Sequence, residues 1–275
     1  MFINTNVGAM NAHRNLSANN GAMNKTMEKL SSGYRINRAA DDAAGLAISE
    51  KMRFQINGLQ QAQRNAQDGI SLIQTAEGAL TEVHSMLQRL NTLATQASNG
   101  TYNDTEDRAA IDKEVQALIG EIDNIATNTN FNGISLLSAA AAGGAGLNFQ
   151  VGSTATTKVS VTLADMSTDS GLGINGIDLT TEAGALLAID TIKTAINTVS
   201  DQRAEFGAAQ NRLEHTINNL GVNAENLSAA QSRIRDADMA AEMTSFTKNQ
   251  ILVQAGTSML AQANSVPQNV LKLLG

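Results

Sequence analysis

From Met52 to Ala97, apolar and small residues return in steps of three and four: Met52, Ile56, Leu59, Ala62, Ala66, Ile70, Ile73, Ala76, Leu80, Val83, Leu87, Leu90, Ala94 and Ala97. The mean step is close to 3.5, the period of a left-handed coiled-coil seam rather than of a broad globular face. A helix over residues 44–98 would be on the order of 80 Å long, at about 1.5 Å per residue. A stripe of that length needs a partner of similar length. Residues Ile189, Ile192, Ile196, Val199, Phe206, Leu213, Ile217, Leu220, Leu227 and Ile234 repeat the period. The two segments predict an antiparallel pair. Gly58, Gly69 and Gly78 lie inside the first seam. Each costs roughly 1 kcal/mol against Ala, so close packing must offset them.

The residues between the two seams close the pair. The first helix stops at Ser98-Asn99-Gly100-Thr101, and a shorter one starts near Asp104, with Asp104 as cap and Glu106 and Asp107 in its first turn. It repeats the seam at Ile111, Val115, Leu118, Ile122 and Ile125 and ends in an Asn-Thr run at Asn130. After Phe131-Asn132-Gly133 the texture becomes Gly-rich. Two alternating sets then appear, Leu147, Phe149, Val151 and Val159, Val161, Leu163, which predict a β-hairpin. Residues 167–184 read as a loop around Gly171, Gly173 and Gly176.

Outside the seams the stripes are thin. Ile3, Val7, Met10, Leu16, Met23, Met27 and Leu30 mark one terminal helix, and Met239, Met243, Phe246, Val253, Met259, Val266, Val270 and Leu273 the other. Neither buries enough to be stable alone. The layout is a palindrome that brings both chain ends into one layer, and it predicts self-association. The ends are expected to be disordered in a free subunit and ordered when copies pack together. Limited proteolysis would then leave a core of about Ala44 to Ile234. The fold class that follows is mainly α: a long antiparallel coiled-coil-like bundle with a small β-hairpin region and paired terminal helices.

Turn chemistry joins the first terminal helix to the first seam in LSSGYRINRAADDAAGLAISEKMR, residues 30–53. Gly33 allows a positive φ, and Asp41 or Asp42 is placed to cap the helix that follows. Arg35, Arg38 and Arg53 lie close by in sequence.

Catalytic chemistry finds little support. His13, His84 and His215 are far apart and lack metal-ligand spacing, there is no Cys, and no glycine cluster forms a phosphate loop. The adjacent Asp41 and Asp42 read as caps and ion-pair partners rather than as an acid and a base. No enzyme activity, cofactor or metal is expected. A net charge of −7 without clustered Lys and Arg argues against nucleic acid. The start MFINTNVGAM has neither a basic n-region nor an apolar h-region, and no stretch approaches a membrane span.

The segments MFINTNVGAMNAHRNL and LSSGYRINRAADDAAGLAISEKMR resemble the N-terminal signature of bacterial flagellins, and the segment from Ser232 to Gly275 resembles their C-terminal signature. With FNGISLL and FQVG the resemblance covers nearly the whole chain, as a short form without variable outer domains. It implies a subunit of the extracellular flagellar filament, exported unfolded through the flagellar type III apparatus and polymerised under a cap. It also implies domains: residues 1–33 with 238–275 innermost, 34–43 as a spoke, 44–130 with 181–234 as a helical bundle, and 131–180 as that bundle's hairpin and loop region. Implied partners are further copies of the chain, cap and junction proteins, and an export chaperone at the C-terminal helix. LQRLNTLATQ, residues 87–96, resembles the patch through which Toll-like receptor 5 recognises flagellins, pointing to Arg89, Leu93 and Glu114. On this reading Arg35, Arg38, Asp41 and Asp42 sit where subunits meet. The competing readings are a hook-filament junction protein, which shares the terminal signatures, and a coiled-coil enzyme with a hidden site.

Overall fold

The computed structural model describes residues 5–103, 106–138 and 146–274, with side chains as far as Ser265. Among the described residues, five helices and two short hairpins follow in the order α1 (Val7–Ser32), α2 (Ala43–Ala97), α3 (Asp107–Asn128), β1 (Asn130–Phe131), β2 (Ile134–Ser135), β3 (Leu147–Gln150), β4 (Lys158–Val161), α4 (Glu182–Arg235) and α5 (Met239–Leu274). The chain divides into two compact units, Met1–Ile56 with Glu225–Gly275, and Asn57–Ala224. Both divisions fall inside long helices.

The Asn57–Ala224 unit holds the core. On α2 the buried positions recur every seventh residue in two rows. One runs through Ala66, Ile73, Leu80, Leu87 and Ala94, the other through Ala62, Gly69, Ala76, Val83, Leu90 and Ala97. On α4 one row is Ala185, Ile192, Val199, Phe206, Leu213 and Leu220, and the other is Ala188, Ala195, Gln202 and Ala209. Large residues in one row beside small ones in the other let neighbouring elements approach closely. The expected pairing of α2 with α4 is present: their seams share one hydrophobic cluster, and Arg203 on α4 reaches Glu77 on α2 at 3.7 Å. The seam departs from expectation in detail. It passes through Gly69, with Ile70 partly buried beside it, and four of the ten buried positions of α4 are Ala.

Gly69 explains its own cost. A Cβ there would stand 3.0 Å from the ring of Phe149 on β3, so the missing side chain is the space the hairpin occupies. Asn65 on α2 also donates through Nδ2 to the Gln150 carbonyl at 3.0 Å. The β3–β4 pair is antiparallel, with Leu147 opposite Val161 and Phe149 opposite Val159, as the alternation predicts. Gln202, the one polar residue in its row, donates through Nε2 to the Thr162 carbonyl at 3.0 Å, satisfying a buried amide.

Two features were not expected. Residues 130–135 form a small hairpin in which Asn132 and Gly133 both have positive φ, 51° and 80°, as a two-residue primed turn requires. The segment after β4 is also buried rather than loosely looped: Met166, Leu172, Ile174, Ile177 and Leu179 all enter the core. The polar edge of α3 fastens it there. Asp112 accepts from the Leu179 amide at 3.2 Å, Gln116 donates to the Ile177 carbonyl at 2.9 Å, and Asp123 accepts from the Thr168 hydroxyl at 3.3 Å. Asp104, the expected cap of α3, lies outside the described residues, as does most of the glycine-rich run; Asp107 in the first turn accepts from the Asn103 amide at 3.1 Å, and Glu106 makes no side-chain capping bond.

In the other unit α1 and α5 pack antiparallel. Asn6 donates to the Ala263 carbonyl at 2.8 Å, Leu16 lies against Gly256, and Lys29 meets Glu242 at 3.3 Å. Asn6 also caps α1 by accepting from the Ala9 amide, and Asp238 caps α5 by accepting from Ala240 at 2.9 Å. No residue of α1 is buried.

Candidate functional site

The segment between α1 and α2 is held by contacts from several elements. Gly33 ends α1 with φ of 74°, and its amide donates to the Lys29 carbonyl at 2.8 Å. Tyr34 then pairs with Asp236 in an isolated antiparallel bridge. The Arg35 amide donates to the Arg235 carbonyl at 2.7 Å, and the Ala237 amide to the Gly33 carbonyl at 2.9 Å. The two connections, α1 to α2 and α4 to α5, are thereby stitched to each other. Ile36 is buried and faces Gly45, where a Cβ would collide with both Ile36 and Asp42.

Each of the four residues expected at the spoke has a partner inside the chain. Arg35 donates through Nη2 to the Ile234 carbonyl at 2.7 Å, and Arg38 pairs with Glu28 at 2.7 Å. Asp41 accepts from the amides of Arg38 and Asn37 at 3.1 and 3.3 Å. The Arg38 amide bond, then that of Asn37, holds its carboxyl below the ordinary carboxylate value. Asp42 is the helix cap, accepting from the Gly45 amide at 2.9 Å. The side chains remain exposed, so the charges are still available to groups outside the chain. Lys25, Lys29, Arg35, Asp41 and Asp42 line one open recess.

The residue that ties the segment together did not stand out in the sequence. Arg235 has its guanidinium 4.7 Å from the centre of the Tyr34 ring and pairs with Glu50 at 2.7 Å, while Glu50 also pairs with Arg53 at 2.7 Å. Only the placement of Arg235 at the end of α4, directly before the second bend, signals it.

Large apolar side chains are exposed throughout this unit. Val7, Met10 and Met27 on α1, Ile48 and Phe54 on α2, and Met239, Met243, Ile251 and Met259 on α5 all face outward, Phe54 at 71%. Such a density exceeds what isolated surface hydrophobics show and marks an interaction surface.

In the Asn57–Ala224 unit, Arg89 on α2 and Glu114 on α3 form an exposed ion pair at 2.7 Å. Leu93, expected beside them on the surface, is instead 3% exposed and belongs to the core, because its apolar side chain falls on the covered side of α2. At the end of α2 the buried Arg108 donates through Nε to the Ala97 carbonyl at 2.7 Å and through Nη2 to the Asn99 carbonyl at 3.0 Å. It thus satisfies the carbonyl end of α2, where a cation is favoured. His13 lines a groove between α1 and α5, His84 contacts Gln88 at 3.0 Å, and His215 is exposed.

Comparison with known proteins accounts for this arrangement. A family profile for the bacterial flagellin N-terminal helical region matches residues 3–142, and one for the C-terminal helical region matches residues 189–274. The chain is 53% identical to the flagellin of Bacillus subtilis (strain 168) and 48% identical to the flagellar filament 33 kDa core protein of Treponema phagedenis, in both cases over 100% of each chain. Among solved structures, a Bacillus cereus flagellin matches with TM-score 0.51 and 40% identity, covering 61% of this chain and 94% of that one. A putative flagellar hook-associated protein of Vibrio parahaemolyticus shares the fold at TM-score 0.58 but only 16% identity, covering 71% of this chain and 100% of that one, and nothing favours the junction reading. With both terminal regions matched and identity extending over the full length, the chain belongs to the bacterial flagellins, structural subunits of the flagellar filament and not enzymes.

Proposed function

We propose that the chain builds its filament through the unit formed by residues 1–56 and 225–275. The observation that carries this is the pairing of two helices that leave many large apolar residues outside, from Val7 and Met10 to Ile251 and Met259. Such surface is costly in a free subunit and is covered when copies pack. Head-to-tail contacts between identical subunits then extend without closing. Export unfolded, extracellular placement, growth under a cap, a junction protein at the base and a chaperone at the C-terminal helix complete this reading by family resemblance.

Within it, Arg35, Arg38, Asp41 and Asp42 bridge neighbouring subunits as well as holding the spoke. Asp42→Asn keeps the cap but removes the charge, because Asn caps about as well as Asp. Electron microscopy after seeding should show long filaments from the parent chain, and fewer or shorter ones from Asp42→Asn and Arg38→Glu. Undiminished filaments and swimming from both variants would return these residues to a purely internal role.

The exposed Arg89–Glu114 pair favours a second role, recognition by Toll-like receptor 5, in which the buried Leu93 takes no surface part. Unchanged receptor-reporter potency of monomeric Arg89→Ala with Glu114→Ala would refute it.

A further inference from the structure

The chain contains no Cys, so methionine carries all of its sulfur. Of the ten methionines, only Met86 and Met166 lie in Asn57–Ala224, where Met166 is fully buried and Met86 packs partly buried against the core. The other unit holds the rest. There Met10, Met27, Met239, Met243 and Met259 are between 48% and 64% exposed, while Met23 and Met52 are half-buried. Met10 also forms part of the wall of the open groove between α1 and α5, with His13 and Arg14.

A thioether on an exposed helix face combines two properties. It is apolar and flexible, so it packs against an irregular partner surface, and its sulfur is open to small oxidants. Burial removes the second property at Met166. On α1 and α5 the oxidisable sulfur and the exposed apolar surface coincide, because the same five side chains supply both.

On the basis of the assembly role proposed above, we propose that α1 and α5 form a peroxide-sensitive surface: oxidation of Met10, Met27, Met239, Met243 and Met259 to sulfoxides blocks addition of the subunit to the filament without unfolding it. Hydrogen peroxide is the oxidant. A sulfur lone pair forms the new S–O bond, the peroxide O–O bond breaks, and the departing hydroxide takes the proton left on the transferred oxygen and leaves as water. The sulfur is oxidised by two electrons and the peroxide is reduced. The product is polar, and its oxygen needs a hydrogen-bond donor when another copy covers it. In the free subunit water meets that oxygen, so no packing is lost.

Treating the purified full-length monomer with hydrogen peroxide, locating sulfoxides by peptide mass spectrometry and then measuring seeded filament growth tests this directly. The five exposed methionines should oxidise several-fold faster than Met166. The oxidised monomer should keep the parent's urea midpoint, grow filaments several-fold more slowly, and recover once methionine sulfoxide reductases A and B restore the thioethers. A chain carrying Met10→Leu, Met27→Leu, Met239→Leu, Met243→Leu and Met259→Leu should grow after peroxide as it does before. Ile251→Gln makes the same unit more polar without sulfur chemistry and separates the two readings. Undiminished growth of the oxidised monomer beside impaired growth of Ile251→Gln would overturn the peroxide-sensitive surface alone. Undiminished growth of both would overturn the assembly role with it. Growth lost together with monomer stability, not restored by the reductases, or lost equally in the Leu-substituted chain after peroxide would also overturn the proposal.

Discussion

The two compact units of this flagellin contain parts of the same long helices, yet they differ in what they bury. Asn57–Ala224 encloses two rows of heptad positions, a hairpin that fits into the gap at Gly69 and a segment fastened to α3. In the unit of residues 1–56 and 225–275, Ile36 and Ile56 are the only buried hydrophobics among the described residues. Its order rests on caps, ion pairs and the bonds of the two bends. Helix length is therefore no guide to stability: a helix contributes where its stripe is covered, and among the described residues the large apolar side chains on the outer faces of α1 and α5 are exposed.

Substitutions that remove a large apolar side chain separate the units most sharply. Phe206→Ala empties a fully buried site, and a Phe-to-Ala change in a core costs about 3–5 kcal/mol. Urea unfolding of the monomer should show that loss. Ile251→Ala removes an exposed side chain and should change monomer stability by no more than about 0.5 kcal/mol, the range of surface substitutions, while impairing filament growth. A large loss of monomer stability from Ile251→Ala would break the contrast.

Two glycines of α2 sharpen it from within the core unit. Gly69→Leu forces a side chain into the Phe149 ring and should destabilise by about 1–3 kcal/mol, as overpacking does. Gly78 has nothing within 4 Å of its Cβ position, so Gly78→Ala should stabilise by about 0.5–1 kcal/mol through helix propensity. Thermal melts of the two variants should move in opposite directions.

Smaller effects are expected in the connection from α1 to α2. Asp42→Ala removes the α2 cap and should cost about 1 kcal/mol, with faster hydrogen exchange in the first turn of α2. Asp41 is the subtlest case. Its folded carboxyl lies below the ordinary value of 3.8, so the turn's contribution is present above that pH and is lost as pH falls through the lower folded value. Titration of the Asp41 side chain by nuclear magnetic resonance should place its midpoint below 3.8.

Much of this was legible in the sequence because a heptad repeat is a one-dimensional signal. The spacing from Ala62 to Ala97 and from Ile192 to Leu220 states both the helices and their pairing, and Asp42 reads as a cap from its place before the pattern. What escaped depends on contacts distant in sequence. Nothing local says that Gly69 leaves room for Phe149, that Arg108 satisfies the end of α2, or that Arg235 reaches Tyr34 and Glu50. The burial of residues 166–179 follows from hydrogen bonds to α3 that no periodicity announces. The β1–β2 turn was readable in Asn132-Gly133, although strands of two residues carry too little alternation to show.

The most direct test of the difference between the units is hydrogen–deuterium exchange on the monomer and on seeded filaments. In the monomer, amides of α1 and α5 should exchange far faster than those of α2 and α4 within residues 57–224. Polymerisation should slow α1 and α5 markedly while leaving the core unit nearly unchanged. Terminal helices already as protected in the monomer as Leu80 or Val199 would contradict the dependence on neighbouring subunits.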